Sequence, residues 1–162
     1  MIEWLRKNYV PIDAIGIIVA GVIAAFAAGA AYVQFTSQWR LENAIAAKGA
    51  YREFLKLSLQ YPQFSRPDLL GRKFTPTEYE QYFWYVNVMS QTFEEVFAFV
   101  PEVDNWNWIA REQFRLHCGF FHGGEYLPEL YSSRFQSVVS EVLAKYPEKD
   151  CYIAEFSLPE AN

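Results

Sequence analysis

Residues Ile12–Val33 read IDAIGIIVAGVIAAFAAGAAYV, and this run decides how the chain is organised. Between Asp13 and Gln34 no side chain carries a charge. A helix rises about 1.5 Å per residue against a hydrocarbon core of roughly 30 Å, so about 20 apolar residues cross a bilayer. The run meets that length and predicts a transmembrane helix over 12–35, preceded by a short flank over 1–11. The remainder of the chain reads as a helical domain over 36–147 and an extended carboxyl-terminal tail over 148–162. The expected fold class is all-α: a single N-terminal transmembrane helix, able to continue as a stalk, and then a small helical-bundle domain.

Two readings of the apolar run compete. Arg6 and Lys7 precede it, and Ala28-Gly29-Ala30 supplies the small residues that a signal peptidase recognises. The run is longer than a signal core of about 7 to 15 residues, however. It also passes into Tyr32, Val33 and Phe35 without a polar loop, which favours a retained anchor. Orientation is left open, because Arg6 and Lys7 on one side balance Arg40, Lys48 and Arg52 on the other. Trp4, Tyr9, Tyr32 and Trp39 suit either membrane interface equally.

Within the span, Gly21, Ala25 and Gly29 recur every fourth position, with Ala20, Ala24 and Ala28 beside them. That spacing lines small residues along one side of a helix, where a second backbone can approach closely. The partners expected are therefore membrane lipid and either another membrane protein subunit or a second copy of the chain.

Composition excludes nucleic acid as a partner. Among 162 residues there are 19 acidic and 14 basic side chains, a net charge of −5, with no basic block to neutralise a phosphate backbone. The 14 Phe, 11 Tyr and 5 Trp promise a large buried area for a domain of modest length. Cys118 and Cys151 are too few for a disulfide framework and too far apart for a Cys-x-x-Cys redox motif.

In the soluble part, Ser37–Tyr61 predicts a stalk helix with an apolar face of Leu41, Ala44, Ile45, Tyr51, Leu55 and Leu59, stopped by Tyr61-Pro62. Gln63–Lys73 reads as a linker. Thr75-Pro76-Thr77-Glu78 is a capping box with a first-turn proline, opening a helix through Tyr79, Phe83, Val86, Met89, Phe93, Val96, Phe97 and Val100 to Pro101. Asp104 or Asn105 should cap a further helix with Trp106, Ile109, Phe114 and Leu116, ending near Cys118-Gly119 or Gly123-Gly124. The last helix starts at Ser132 or Ser133 and carries Phe135, Val138, Val139, Val142 and Leu143 to Tyr146-Pro147. In the tail, Tyr152, Ala154, Phe156 and Leu158 alternate only weakly.

The run Gly49–Phe64, GAYREFLKLSLQYPQF, resembles a segment of uncharacterised bacterial proteins that join one or two amino-terminal transmembrane helices to a small all-helical domain. Their recurring pieces are a tyrosine-arginine-x-aromatic-leucine helix, an aromatic-proline stop and a later tryptophan-bearing helix. Phe83–Phe97, Trp106 or Trp108, and Tyr126–Phe135 would match the later pieces, whereas Gly123-Gly124 departs from them. The resemblance implies an anchored helical domain in a bacterial inner (cytoplasmic) membrane, crossing it once. It carries over no catalytic residue.

Chemistry-bearing side chains gather only in His117-Cys118-Gly119-Phe120-Phe121-His122-Gly123-Gly124-Glu125. His117, Cys118, His122 and Glu125 are competent zinc donors. On a continuous helix, though, His117 and His122 fall about 140° apart, so only a break at Gly119 would make them converge. The plainer reading is a helix terminus, with His117 at the last carbonyls and Cys118 filling the core as a small hydrophobe. Neither a metal nor another cofactor is expected. Glu94 and Glu95 are adjacent rather than facing, Glu112 and His117 lack a nucleophile, and Ser90, Ser132, Ser133 and Ser137 lack an elbow motif. The leading expectation is a non-catalytic accessory or scaffold subunit that makes protein–protein contacts in a membrane complex. A membrane-tethered regulatory or defence-type sensor is the alternative, and an enzyme or metal protein comes third.

Overall fold

Among the described residues six α-helices are formed: α1 (Ile2–Gln60), α2 (Pro62–Ser65), α3 (Pro76–Phe99), α4 (Asp104–Leu116), α5 (Cys118–His122) and α6 (Ser133–Lys145). Short 3₁₀ turns lie at Pro67–Leu69, Pro128–Leu130 and Glu148–Asp150. The computed structural model describes the backbone of residues 2–69, 73–100 and 104–153, and the side chains of Glu3, 16–68, 73–100 and 105–153. Among these residues the fold is all-α, and two units are distinguished, 1–42 and 43–162.

The first unit is the amino-terminal part of α1. Every side chain from Gly16 to Phe35 is exposed, including Ile17, Ile23 and Phe26. A helix that is apolar all round and unburied is poorly matched to water and well matched to lipid. Among the described residues this is the helix long and apolar enough to cross a membrane.

In the second unit, α1 continues past Gly49 without a break and ends at Gln60, where Tyr61 takes an extended φ of −126° ahead of Pro62. Its buried face overlaps the expected one only in part: of the expected residues, Ala44 and Tyr51 pack against the core. Ala47 and Phe54 are buried with Tyr51 and Ser58 half-buried beside them, whereas Leu41, Ile45, Leu55 and Leu59 are exposed. At 100° per residue those aliphatics lie about 80–160° around the axis from Ala47. The aromatic residues decide the rotation: Tyr51 packs edge-on to Trp106 at 5.3 Å, and Phe54 lies 5.6 Å from Tyr85. Large rings bury more area than leucine, so their stripe takes the core.

The expected linker is partly helical, folded into α2 and the turn at Pro67–Leu69, and it drives Phe64 and Phe74 into the core. Thr75 opens α3 as its sequence predicts. Its Oγ1 accepts from the Glu78 amide at 3.2 Å, and its own amide donates to Glu78 Oε2 at 2.9 Å. Val86, Met89, Phe93, Val96 and Phe97 are buried as expected; Tyr82 and Tyr85 join them, while Tyr79 and Phe83 stay half-buried.

Helix α4 starts at Asp104 itself, and the position before it lies outside the described residues. It stops at Leu116, near the first of the two expected ends, Cys118-Gly119. Ser132 caps α6, its Oγ accepting from the Phe135 amide at 3.3 Å, and Phe135, Val138, Val139 and Val142 are buried. Glu94 of α3 holds that same cap by accepting from the Ser132 amide and hydroxyl at 2.9 and 3.0 Å. The core is a network of rings: Phe114 meets Phe93, Phe121 and Phe135 at 5.4, 5.1 and 4.9 Å. The tail opens with a 3₁₀ turn at Glu148–Asp150, and the alternation at Ala154, Phe156 and Leu158 lies outside the described residues.

Candidate functional site

Three features of the chain need a chemical account. They are the corner around His117, an aromatic pocket beside Trp84, and the small-residue face of α1.

The corner is made by the break between α4 and α5. His117 leaves the helical ladder with φ −116° and ψ 19°, and its carbonyl accepts from Phe120 at 2.9 Å to start α5. The ring is fully buried. It does not cap the last carbonyls of α4; its Nδ1 instead sits 3.1 Å from the Tyr82 hydroxyl, while Nε2 has no partner. The rings of Tyr82 and Tyr85 lie 5.7 and 5.8 Å away. Burial lowers the His117 pKa to about 3, only partly opposed by Asp68, so the imidazole is neutral at ordinary pH. The same burial drives the Tyr82 phenol upward, so it remains a protonated hydrogen-bonding partner.

Cys118, the first residue of α5, is bonded to Cys151, with a Cα–Cα distance of 5.5 Å. It is therefore neither a thiolate ligand nor a free small hydrophobe. Beside it, Gly119 is pressed against the chain that comes after the second cysteine. A Cβ at Gly119 would collide with the Tyr152 carbonyl, so a side chain there would force the two segments apart. Tyr152 also meets Phe74 edge-on at 6.4 Å.

The other two members of the expected zinc set point elsewhere. His122 Nε2 lies 2.9 Å from the Tyr146 carbonyl, and Glu125 accepts a hydrogen bond from the Tyr79 hydroxyl at 2.6 Å. Burial, reinforced by that carboxylate, pushes the Tyr79 phenol up to about 12. His117, Cys118, His122 and Glu125 are thus close in sequence but divided among four different contacts. Among the described residues no three His, Cys, Asp or Glu side chains converge as metal ligands.

The pocket, about 230 Å³, lies between α3, α5 and the loop to α6. Phe83, Trp84, Phe120, Tyr126 and Tyr131 form its walls, and Asn87 and Glu125 are its polar members. Asn87 is turned back on its own helix, donating to the Phe83 carbonyl at 2.9 Å. Trp84 remains 59% exposed, which makes the rim of this pocket an apolar outcrop on a folded unit.

On α1, Ala25, Phe26, Gly29, Ala30 and Val33 line an open groove that continues to Gln34 and Ser37. Ala25 and Gly29 of the small-residue set are in it, and Gly21 lies two turns before Gly29. Nothing stands within 4 Å of a Cβ built at Gly21 or Gly29, so this face is open to an approaching backbone.

Comparison with protein families, curated proteins and solved structures finds no match. The functional reading therefore rests on these three features.

Sequence reasoning missed the Cys118–Cys151 bond and the close approach at Gly119. An even number of cysteines downstream of a long apolar segment was the available signal, and two cysteines separated by 33 positions made it faint.

Proposed function

We propose that this protein is a non-catalytic, membrane-anchored accessory or scaffold subunit that makes protein–protein contacts within a complex of a bacterial inner (cytoplasmic) membrane. The observation that carries the reading is the open groove of α1, with Ala25 and Gly29 in its floor and free space above Gly21 and Gly29. Small residues along one side of a helix let a second backbone come into close van der Waals contact, which drives association where lipid supplies no hydrophobic drive between helices. In the soluble unit, the buried polar groups near the corner serve packing: His117 is neutral and tied to Tyr82, and the cysteines are tied to each other. The exposed aromatic outcrop at Trp84 and the aliphatic stripe of Leu55 and Leu59 offer surfaces to a partner instead.

The test is assembly in mild detergent. Replacing Gly21 and Gly29 with Leu makes the span more hydrophobic, so insertion stays intact while the added side chains hold the two backbones apart. Leucines at Ala20 and Ala27, about 140° and 160° around the axis from Ala25, are the control. The expected result is a large loss of the fraction co-purifying in fixed stoichiometry for the glycine pair and little loss for the control. Equal assembly by both variants removes the anchor as the docking element.

A further inference from the structure

Both cysteines of the chain are consumed in one bond, and that bond is built into the fold. Cys118 is 3% exposed at the start of α5, and Cys151 comes directly after the 3₁₀ turn Glu148–Asp150 at a Cα–Cα distance usual for disulfides. A second observation, independent of sulfur, points the same way. Gly119 admits the Tyr152 carbonyl so closely that no other residue fits, so the backbone after Cys151 is seated on α5. His122 Nε2, 2.9 Å from the Tyr146 carbonyl, ties the end of α5 to the end of α6, from which the chain runs on to Cys151.

Disulfides of this structural kind form and persist where thiols are not kept reduced, which in bacteria means outside the cytoplasm. We infer that residues 43–162 face the oxidising side of the membrane and that Cys118 and Cys151 are the site at which a thiol-oxidising protein acts on this chain. With α1 as the anchor, on which this orientation rests, the flank bearing Arg6 and Lys7 remains on the reducing side. The flanking charges are too evenly divided to choose a side, and the disulfide chooses it. The chemistry balances within one exchange. The two thiols lose two protons and two electrons as their sulfurs join, and the disulfide of a thiol–disulfide oxidoreductase accepts them and leaves as a dithiol.

The experiment uses the full chain with a carboxyl-terminal tag in bacterial membranes. Cells are quenched in acid, and free thiols are alkylated with a maleimide-polymer before and after reduction. Protease is then applied to spheroplasts, and the membranes are washed with carbonate. The inference expects no alkylation before reduction and two polymers per chain after it. It also expects loss of the tag to external protease, and accumulation of the dithiol form in cells lacking the extracytoplasmic thiol oxidase. Two free thiols in wild-type cells overturn it, as does a tag protected until the membrane is opened. Protease access needs no folded domain, so the Cys118→Ala/Cys151→Ala variant reports the side of the membrane even if it unfolds. An oxidised chain released by carbonate supports the oxidising compartment and instead overturns the anchor, and with it the proposed function.

Discussion

Breaking the Cys118–Cys151 bond tests the fold most directly. Cys151→Ser is the suitable perturbation, because Cys151 is half-buried and tolerates a hydroxyl, whereas Cys118 is enclosed by the core. The bond closes a loop of 33 positions. On the chain-entropy relation, a loop of that length restricts the unfolded chain by about 3.7 kcal/mol at 25 °C. Unfolding entropy for a unit the size of 43–162 is about 0.25 kcal/mol/K, so the midpoint should fall by about 15 °C. The assay is thermal unfolding of the full chain in detergent, monitored by near-ultraviolet circular dichroism of the ring network, with and without a phosphine reductant. Because the main effect is on the unfolded state, the native spectrum below the transition should be nearly unchanged. Wild type in reductant and Cys151→Ser without it should converge on the same midpoint. A wild-type midpoint indifferent to reductant would refute the reasoning, since the bond would then be either absent or irrelevant to folding.

Thr75→Ala removes one half of the capping box on α3 and should cost about 0.5–2 kcal/mol in denaturant unfolding; no change would mean that the cap is not formed in solution. Gly119→Ala puts a methyl group against the Tyr152 carbonyl, and should increase protease cleavage near residues 148–153 while leaving the helical content of the unit intact. His117 gives a pH dependence whose sign is set by its depressed pKa. The unfolded ring takes up a proton below about 6.5 and the folded one only near 3, so stability is complete above 6.5 and declines as pH falls toward 3. The slope from this residue approaches about 1.4 kcal/mol per pH unit at most. His117→Asn should flatten the profile in that window, and an unaltered slope would show that the ring titrates normally.

The sequence by itself determined the long apolar amino-terminal helix, the capping box at Thr75, the proline stop of α1, and the buried positions Val86, Met89, Phe93, Val96 and Phe97 of α3 and Phe135, Val138, Val139 and Val142 of α6. Each of these is a local property. A run without charge, a Thr-Pro-x-Glu order, a proline or a helical spacing of apolar residues acts through neighbours within a turn or two, and one chain suffices to read it. Tertiary structure alone decided which stripe of α1 turns inward. Of the face read from the sequence, Tyr51 packs on rings of α3 and α4, but Leu55 and Leu59 stay exposed and Phe54 turns inward onto Tyr85 instead. It also decided the fate of His117, Cys118, His122 and Glu125. These four are adjacent in sequence, but the break after Leu116 sends them to Tyr82, Cys151, Tyr146 and Tyr79. Those partners lie between 24 and 46 positions away. No local pattern encodes such pairings. They arise because the ring network packs in one way, and that packing alone brings the end of α6 and the chain beyond it back over α5.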